Sequence, residues 1–264
     1  SFLAGKPVTK SAAGTAPAHW VQMEPGGAAE VRAVVERPGA GCPELHIAGA
    51  HDTAIALRPR AAAGEGFSLL CSAALPPGTA ASTLVWPKDC AAAGPTDCAG
   101  APAVAALPAP AHDPRRIVVL GDTGCALKGR TVQDCNDPRA WPFPALAAAA
   151  AKLKPDLVID VGDYQYRESP CPTGESGCAG TPYGDNWPAW KADFFAPAAP
   201  LLAAAPWVFV RGNHEVCGRA GRGYLRLLGP LAFAPGCTAH LAPYRVPLGA
   251  FDLLVMDDAD ASDT

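Results

Sequence analysis

Three short segments of this 264-residue chain join a glycine to side chains that can hold cations or move protons: Gly121-Asp122-Thr123-Gly124, Gly162-Asp163-Tyr164-Gln165-Tyr166 and Gly212-Asn213-His214-Glu215. Two carboxylates, an amide carbonyl and a phenol are hard oxygen donors that suit divalent or trivalent cations. A carboxylate set between two cations can bridge them, and ions about 3.5–4 Å apart stabilise both the attacking and the leaving oxygen of a phosphoryl transfer. Asp163 is the candidate bridge, with Asp122, Tyr166 and Asn213 as further metal ligands. Water shared by such a pair would be acidified to a hydroxide nucleophile, and His214 is the candidate to protonate the departing alkoxide or to stabilise transition-state charge. Glu215 would orient His214 or a metal-held water. Tyr164 competes with Tyr166 for the metal, but neighbours in extended chain point to opposite sides, which favours Tyr166.

Each segment must be delivered by something rigid. Ile117 to Leu120, Leu157 to Val161 and Trp207 to Val210 are short apolar runs of the kind found in buried parallel strands. Between them, Pro144 to Lys154 is helix-prone through its Ala, Leu and Lys content, and Trp187 to Ala205 reads as a helix interrupted by prolines. The order β-α-β-α-β predicts a parallel sheet with right-handed crossovers and a ligand site at the carboxyl ends of its strands. The glycines let the chain turn sharply there. Directly after the second segment, the long stretch Glu168 to Trp190 either shapes a substrate pocket, with Asn186 and Trp187 as contacts, or is a disulfide-tied surface excursion.

Upstream, Ala29 to Val35, Glu44 to Ala48, Thr53 to Leu57 and Phe67 to Cys71 have strand character and are separated by Pro and Gly. They predict an all-β domain over residues 1–99. An Ala/Pro-rich semi-rigid linker over 100–114 and an α/β catalytic domain over 115–264 follow it.

Gly-Asp-x-Gly, then Gly-Asp-x-x-Tyr, then Gly-Asn-His-Glu resembles the calcineurin-like metallophosphoesterase superfamily, and most narrowly the purple acid phosphatases. Gly124 stands where most of the superfamily has His, and Tyr166 follows Asp163 by three residues; that paired change is the purple-phosphatase pattern. The resemblance implies that Tyr166 shares a metal with Asp122, Asp163 bridges, Asn213 binds the second metal and His214 stays unligated for catalysis. It further implies two metal ions, iron(III) with zinc, iron(II) or manganese. The substrate would be a small phosphate monoester, with phosphodiester or nucleotide hydrolysis as the alternative. In fold it implies a fibronectin type III-like sandwich ahead of half of a four-layer αββα sandwich. The family's downstream Val-x-x-His-like segment and Gly-His-x-His do not occur in the sequence, and His240 has neither context. The expectation is that a separate C-terminal fragment supplies these ligands or that the site holds metal weakly. A contrasting alternative is an exported binding module with a relic half-site.

Composition narrows the rest. A formal net charge of −4 gives no basic field to gather nucleic acid or anionic lipid. No uncharged apolar run reaches the roughly 18 residues of a membrane span. Ten cysteines fall as near neighbours, predicting five local disulfides, Cys42–Cys71, Cys90–Cys98, Cys125–Cys135, Cys171–Cys178 and Cys217–Cys237, and hence an exported protein, periplasmic or secreted. His19, His46, His51 and His112 read as surface or packing residues, and Asp257, Asp258, Asp260 and Asp263 as a solvated acidic end.

Overall fold

A computed structural model describes residues 17–49, 53–86 and 104–261. Its first part contains β1 (His19–Met23), β2 (Ala29–Val35), β3 (Glu44–Ile47), β4 (Thr53–Ala56), β5 (Arg58–Ala61), β6 (Leu69–Leu75), β7 (Ser82–Val85) and β8 (Val104–Leu107). The second part runs β9 (Ile117–Leu120), β10 (Leu127–Lys128), β11 (Thr131–Val132), α1 (Phe143–Lys152), β12 (Leu157–Asp160), α2 (Trp187–Trp190), α3 (Ala196–Leu202), β13 (Trp207–Phe209), α4 (Gly221–Leu227), β14 (Tyr244–Leu248) and β15 (Phe251–Val255).

The three apolar runs pair in parallel as expected, β9 with β12 and β12 with β13. Their register brings Leu120, Asp160 and Phe209 level across the three strands. All three glycine-containing segments therefore leave the sheet at one edge.

The expected fibronectin type III-like N-terminal sandwich is not confirmed by the strand order. β1 lies parallel beside β13, and β5, β6, β2 and β1 extend the same sheet into seven strands, β5-β6-β2-β1-β13-β12-β9. Only β4, β3, β7 and β8 form a sheet of their own. Within the stretch 100–114 expected as a linker, β8 pairs with β7 along its whole length. Composition marks that stretch as Pro-rich but says nothing about which backbone groups find partners.

Strand alternation divides the core between the two faces of the large sheet. Val158, Trp207 and Phe209 pack with α1, α3 and α4 on one side. Leu157 and Val208 pack with Val246 and Val255 of the β14–β15 hairpin and with Leu45 and Leu84 of the small sheet on the other. Helix α1 matches the Ala-rich prediction closely and buries Phe143 and Ala147. The helix interrupted by prolines expected over Trp187 to Ala205 is formed by α2 and α3 joined by one π-helical turn, Lys191–Phe195.

Four of the expected disulfides are present, Cys42–Cys71, Cys125–Cys135, Cys171–Cys178 and Cys217–Cys237; the pair Cys90 and Cys98 lies outside the described residues. Among the described residues no helix is long and apolar enough to cross a membrane.

Candidate active site

Among the described residues, Asp122 (φ 54°) and Asp163 (φ 64°) are two of the non-glycine residues with positive φ. That left-handed conformation is costly for most side chains and is tolerated best by Asp and Asn, and it concentrates at sites where function fixes a side chain's direction. The two turns run side by side, with the Asp122 N–H donating to the Gly162 carbonyl (3.1 Å) and the Thr123 N–H to the Asp163 carbonyl (3.0 Å). Gly212 has to be glycine because a Cβ there would lie 2.2 Å from Asp163 Oδ1.

The side chains converge in consequence. Tyr166 Oη donates to Asp122 Oδ1 at 2.7 Å and lies 3.1 Å from Asp163 Oδ2, while Asp163 Oδ1 accepts the His214 N–H at 2.8 Å. Burial and the two carboxylates push the Tyr166 phenol well above its ordinary range. The Gly124 and Tyr166 pairing has a steric cause: a Cβ on Gly124 would come within 2.5 Å of the Tyr166 ring. Tyr164 turns the other way, fully buried, and donates to the Val210 and Asp160 carbonyls.

Two buried carboxylates hold these loops. Glu215, expected to orient His214 or a water, instead accepts the backbone N–H groups of Asp163, Tyr164 and Gln165 (2.9, 2.9 and 3.1 Å) and so ties the third segment to the second. Burial and the nearby Asp163 raise its pKa to about 8, against those N–H donors, which favour the carboxylate. Asp193, on the π-helical turn, accepts the backbone N–H groups of Cys125, Tyr166 and Arg167 and pairs with the buried Arg167 guanidinium at 2.7 Å. Sequence reasoning missed Asp193. Its signal is an acidic residue surrounded by aromatic ones in Trp187 to Phe195, a place where a charge survives only if paired.

His214 stacks on Tyr166 with ring centroids 3.6 Å apart, and its Nδ1 faces Glu168 (3.2 Å) and Arg219. Burial and the Arg219 guanidinium lower its pKa, opposed by Asp163, Glu168 and the Gln165 carbonyl. Beside this group, Asp122, Asp163 and Asn213 line a cleft of about 260 Å³ together with Arg211 and Asp258; His214 and Tyr166 are not in its lining. Asp258 is exposed, as expected of a solvated end, and borders this cleft. Asp257 departs from that expectation: it accepts from the buried Arg211 at 3.2 Å and from the Leu241 N–H at 2.8 Å. His240 pairs with Asp260 on the surface, away from this cleft lining. The suggested substrate contacts Asn186 and Trp187 have structural roles, Asn186 capping α2 and Trp187 packing in the core.

Residues 115–258 match the profile of the calcineurin-like phosphoesterases. The chain belongs to this family. Among solved structures it is similar to purple acid phosphatase PPD1 from yellow lupin (Lupinus luteus) seeds, with a TM-score of 0.55 and 12% identity over 94% of this chain and 47% of that one. It is also similar to PhoD, with a TM-score of 0.52 and 14% identity over 95% of this chain and 53% of that one. At such identities the likeness is one of fold, and the chain spans about half the length of each of these structures. A search of curated proteins gave no match.

For a calcineurin-like phosphoesterase the donor set can be tested against a metal. Among the described residues no three His, Cys, Asp or Glu side chains gather in a metal-binding group. The oxygen donors nevertheless fit a hard cation: Asp122 and Asp163 approach one another through a single phenol, and among the described residues neither forms a salt bridge with Lys or Arg. Asp122, Asp163, Tyr166 and Asn213 are the residues that would hold the metal.

Proposed function

We propose that this chain provides the oxygen-ligand part of a binuclear phosphoesterase site that hydrolyses small phosphate monoesters in an exported protein. The observation that carries the reading is the convergence of Asp122, Asp163 and Tyr166 at the carboxyl edge of a parallel sheet, within a chain of the calcineurin-like phosphoesterase family. Asp163, reached from both sides, would bridge; Asp122 and Tyr166 would hold one ion, best iron(III) because of the phenol, and Asn213 the other, zinc, iron(II) or manganese. When bound, the cations supply Lewis-acid activation of water and of the phosphoryl oxygens. The protein's own part is to orient those ligands through strained turns and to place His214 where it can pass a proton to the leaving alkoxide. Four disulfides agree with an oxidising compartment.

Loading the full chain with iron(III) and zinc tests this directly. Iron binding with a visible phenolate-to-iron band lost in Tyr166→Phe is expected, and, once the downstream nitrogen ligands are supplied, two equivalents of metal and faster release of phosphate from an aryl monoester than hydrolysis of a diester. Asp163→Asn should lower the rate on the order of a hundredfold or more. Metal uptake without a band sensitive to Tyr166 would overturn the ligand set, and full activity of Asp163→Asn would overturn the bridge.

A further inference from the structure

The Cys217–Cys237 disulfide differs from its three described counterparts in its surroundings. Cys71, Cys125 and Cys178 are fully buried, so the disulfides to Cys42, Cys135 and Cys171 each have one end sealed in the core. Cys217 is exposed and Cys237 only half-buried, so this disulfide has both ends at the surface. A charge faces it from the inside. The buried Arg211 guanidinium places Nη2 3.7 Å from both sulfurs. A disulfide sulfur is a weak acceptor and a thiolate is a full anion, so the contact strengthens when the S–S bond breaks. A neighbouring guanidinium also lowers a thiol's pKa, and a thiol of lower pKa leaves faster in exchange. Access and charge act in the same direction.

The rest of the Arg211 side chain belongs to the third segment. Its Nε donates to the Glu215 carbonyl at 2.8 Å, and Nη1 donates to the Thr238 and Ala239 carbonyls, both at 2.9 Å, and to Asp257 at 3.2 Å. One guanidinium thus holds the end of Gly212-Asn213-His214-Glu215, the chain just past Cys237, and the carboxylate preceding Asp258. Gly221, at the start of α4, closes the space between them, since a Cβ there would lie 2.9 Å from both Cys237 Sγ and the Glu215 carbonyl oxygen. Inside the loop that the disulfide closes, Arg219 donates to the Asn213 carbonyl at 3.1 Å. Opening the disulfide releases both holds on the segment, Arg219 with the loop and Arg211 as its guanidinium turns toward a thiolate.

We propose that Cys217–Cys237 is a reducible lock on the third segment, opened by a dithiol and coupled to that segment through Arg211. One thiolate of the dithiol attacks a sulfur of the disulfide, the S–S bond breaks, and the other cysteine leaves as a thiolate beside Arg211. The second dithiol thiolate then displaces the attacked cysteine from the mixed disulfide. Two electrons pass to the protein, the reductant becomes a disulfide, and its two protons go to the cysteines or to solvent. The consequence for the site rests on the role given to Asn213 above, because an open lock loosens the ligand of the second ion.

Dithiothreitol titration of the full chain, with iodoacetamide trapping and peptide mass spectrometry, tests the lock. Cys217 and Cys237 should be labelled at a dithiol concentration roughly tenfold or more below that needed for the other three disulfides. Labelling together with them would overturn the proposal. In the selectively reduced chain the freed thiols should reach half their maximal alkylation rate about one pH unit or more below the ordinary thiol value of about 8.5. A midpoint at about 8.5 or above would overturn the coupling to Arg211. Amide hydrogen exchange then reads the segment itself. In the reduced and alkylated chain, and in Cys217→Ser/Cys237→Ser, exchange over residues 212–215 should rise roughly tenfold or more while residues 121–124 stay protected. Unchanged protection in both forms, a rise in the alkylated form alone, or a rise spread equally to residues 121–124 would each overturn the lock, the last two by assigning the effect to added bulk or to the whole fold. None of these readouts uses activity. A chain that releases no phosphate therefore overturns the phosphoesterase reading and leaves the lock standing.

Discussion

Gly124 shows how much of this site depends on a side chain that is missing. A Cβ at that position would meet the Tyr166 Cδ2 at 2.5 Å, the Tyr164 carbonyl at 2.8 Å and the Tyr166 amide at 2.9 Å. Two of those three are backbone, so rotation of one ring cannot relieve the clash. Gly124→Ala should therefore cost about 1–3 kcal/mol, as overpacking does, and push the Tyr166 phenol off Asp122. Urea denaturation would show the lower midpoint, and iron-loaded protein would show a weakened visible band; a variant matching the parent in both would refute the steric account. At this scale the sequence was legible in kind, because Gly124 and Tyr166 stand out as a matched pair. The reason for the match was not legible, since it is a distance between two turns 42 residues apart.

Among the elements, strands with continuous apolar runs and the Ala-rich α1 were readable because their signal is local. β1 was not among the strand segments read from the sequence, because His19-Trp20-Val21-Gln22-Met23 carries a polar residue that is buried, and its neighbour β13 is far along the chain. Gln22 becomes tolerable only where its amide donates to the Leu228 carbonyl at 2.7 Å. The same non-local logic hid the π-helical turn. Its Asp193 gathers the first and second segments onto one carboxylate, and burial raises its pKa while Arg167 and the backbone N–H groups of Cys125 and Tyr166 oppose the rise. Asp193→Asn keeps the shape but leaves the Arg167 guanidinium buried without its counter-charge, a change that costs about 3–5 kcal/mol when one partner of a buried pair is removed. A fall in unfolding free energy of that size, with Tyr166 loosened, is the expected result. A variant with the parent's stability would show that Arg167 relaxes to solvent instead.

Over the whole molecule, the N-terminal strands and the catalytic strands share one sheet, and a buried polar cluster fastens them to α4. Arg32 donates to the Leu227 and Gly229 carbonyls at the end of that helix, and Arg60 donates to Gly229 as well, so guanidinium groups from β2 and β5 occupy its unsatisfied C-terminal carbonyls. Composition shifts at 100–114 do not disclose this, because a linker-like stretch says nothing about which sheet the preceding strands join. The cluster has a pH signature. Glu24 pairs with Arg32 at 2.5 Å through Oε1, while its buried Oε2 has no partner; Glu30 repels it, and Arg60 attracts it more weakly than Arg32 does. Burial dominates and raises its pKa from 4.5 to about 7. A carboxyl with a raised folded-state pKa binds its proton more tightly in the native chain than in the unfolded one. Its contribution is therefore fully present below pH 4.5 and is lost as the pH climbs to about 7. The shift corresponds to about 3 kcal/mol. Glu24→Gln mimics the protonated form at every pH. Urea unfolding should find the variant close to the parent at pH 4.5 and more stable by up to about 3 kcal/mol above pH 7. A stability difference that stays constant across that range would mean that Arg32 and Arg60 hold Glu24 ionised throughout, and that the seam between the N-terminal strands and α4 is indifferent to pH.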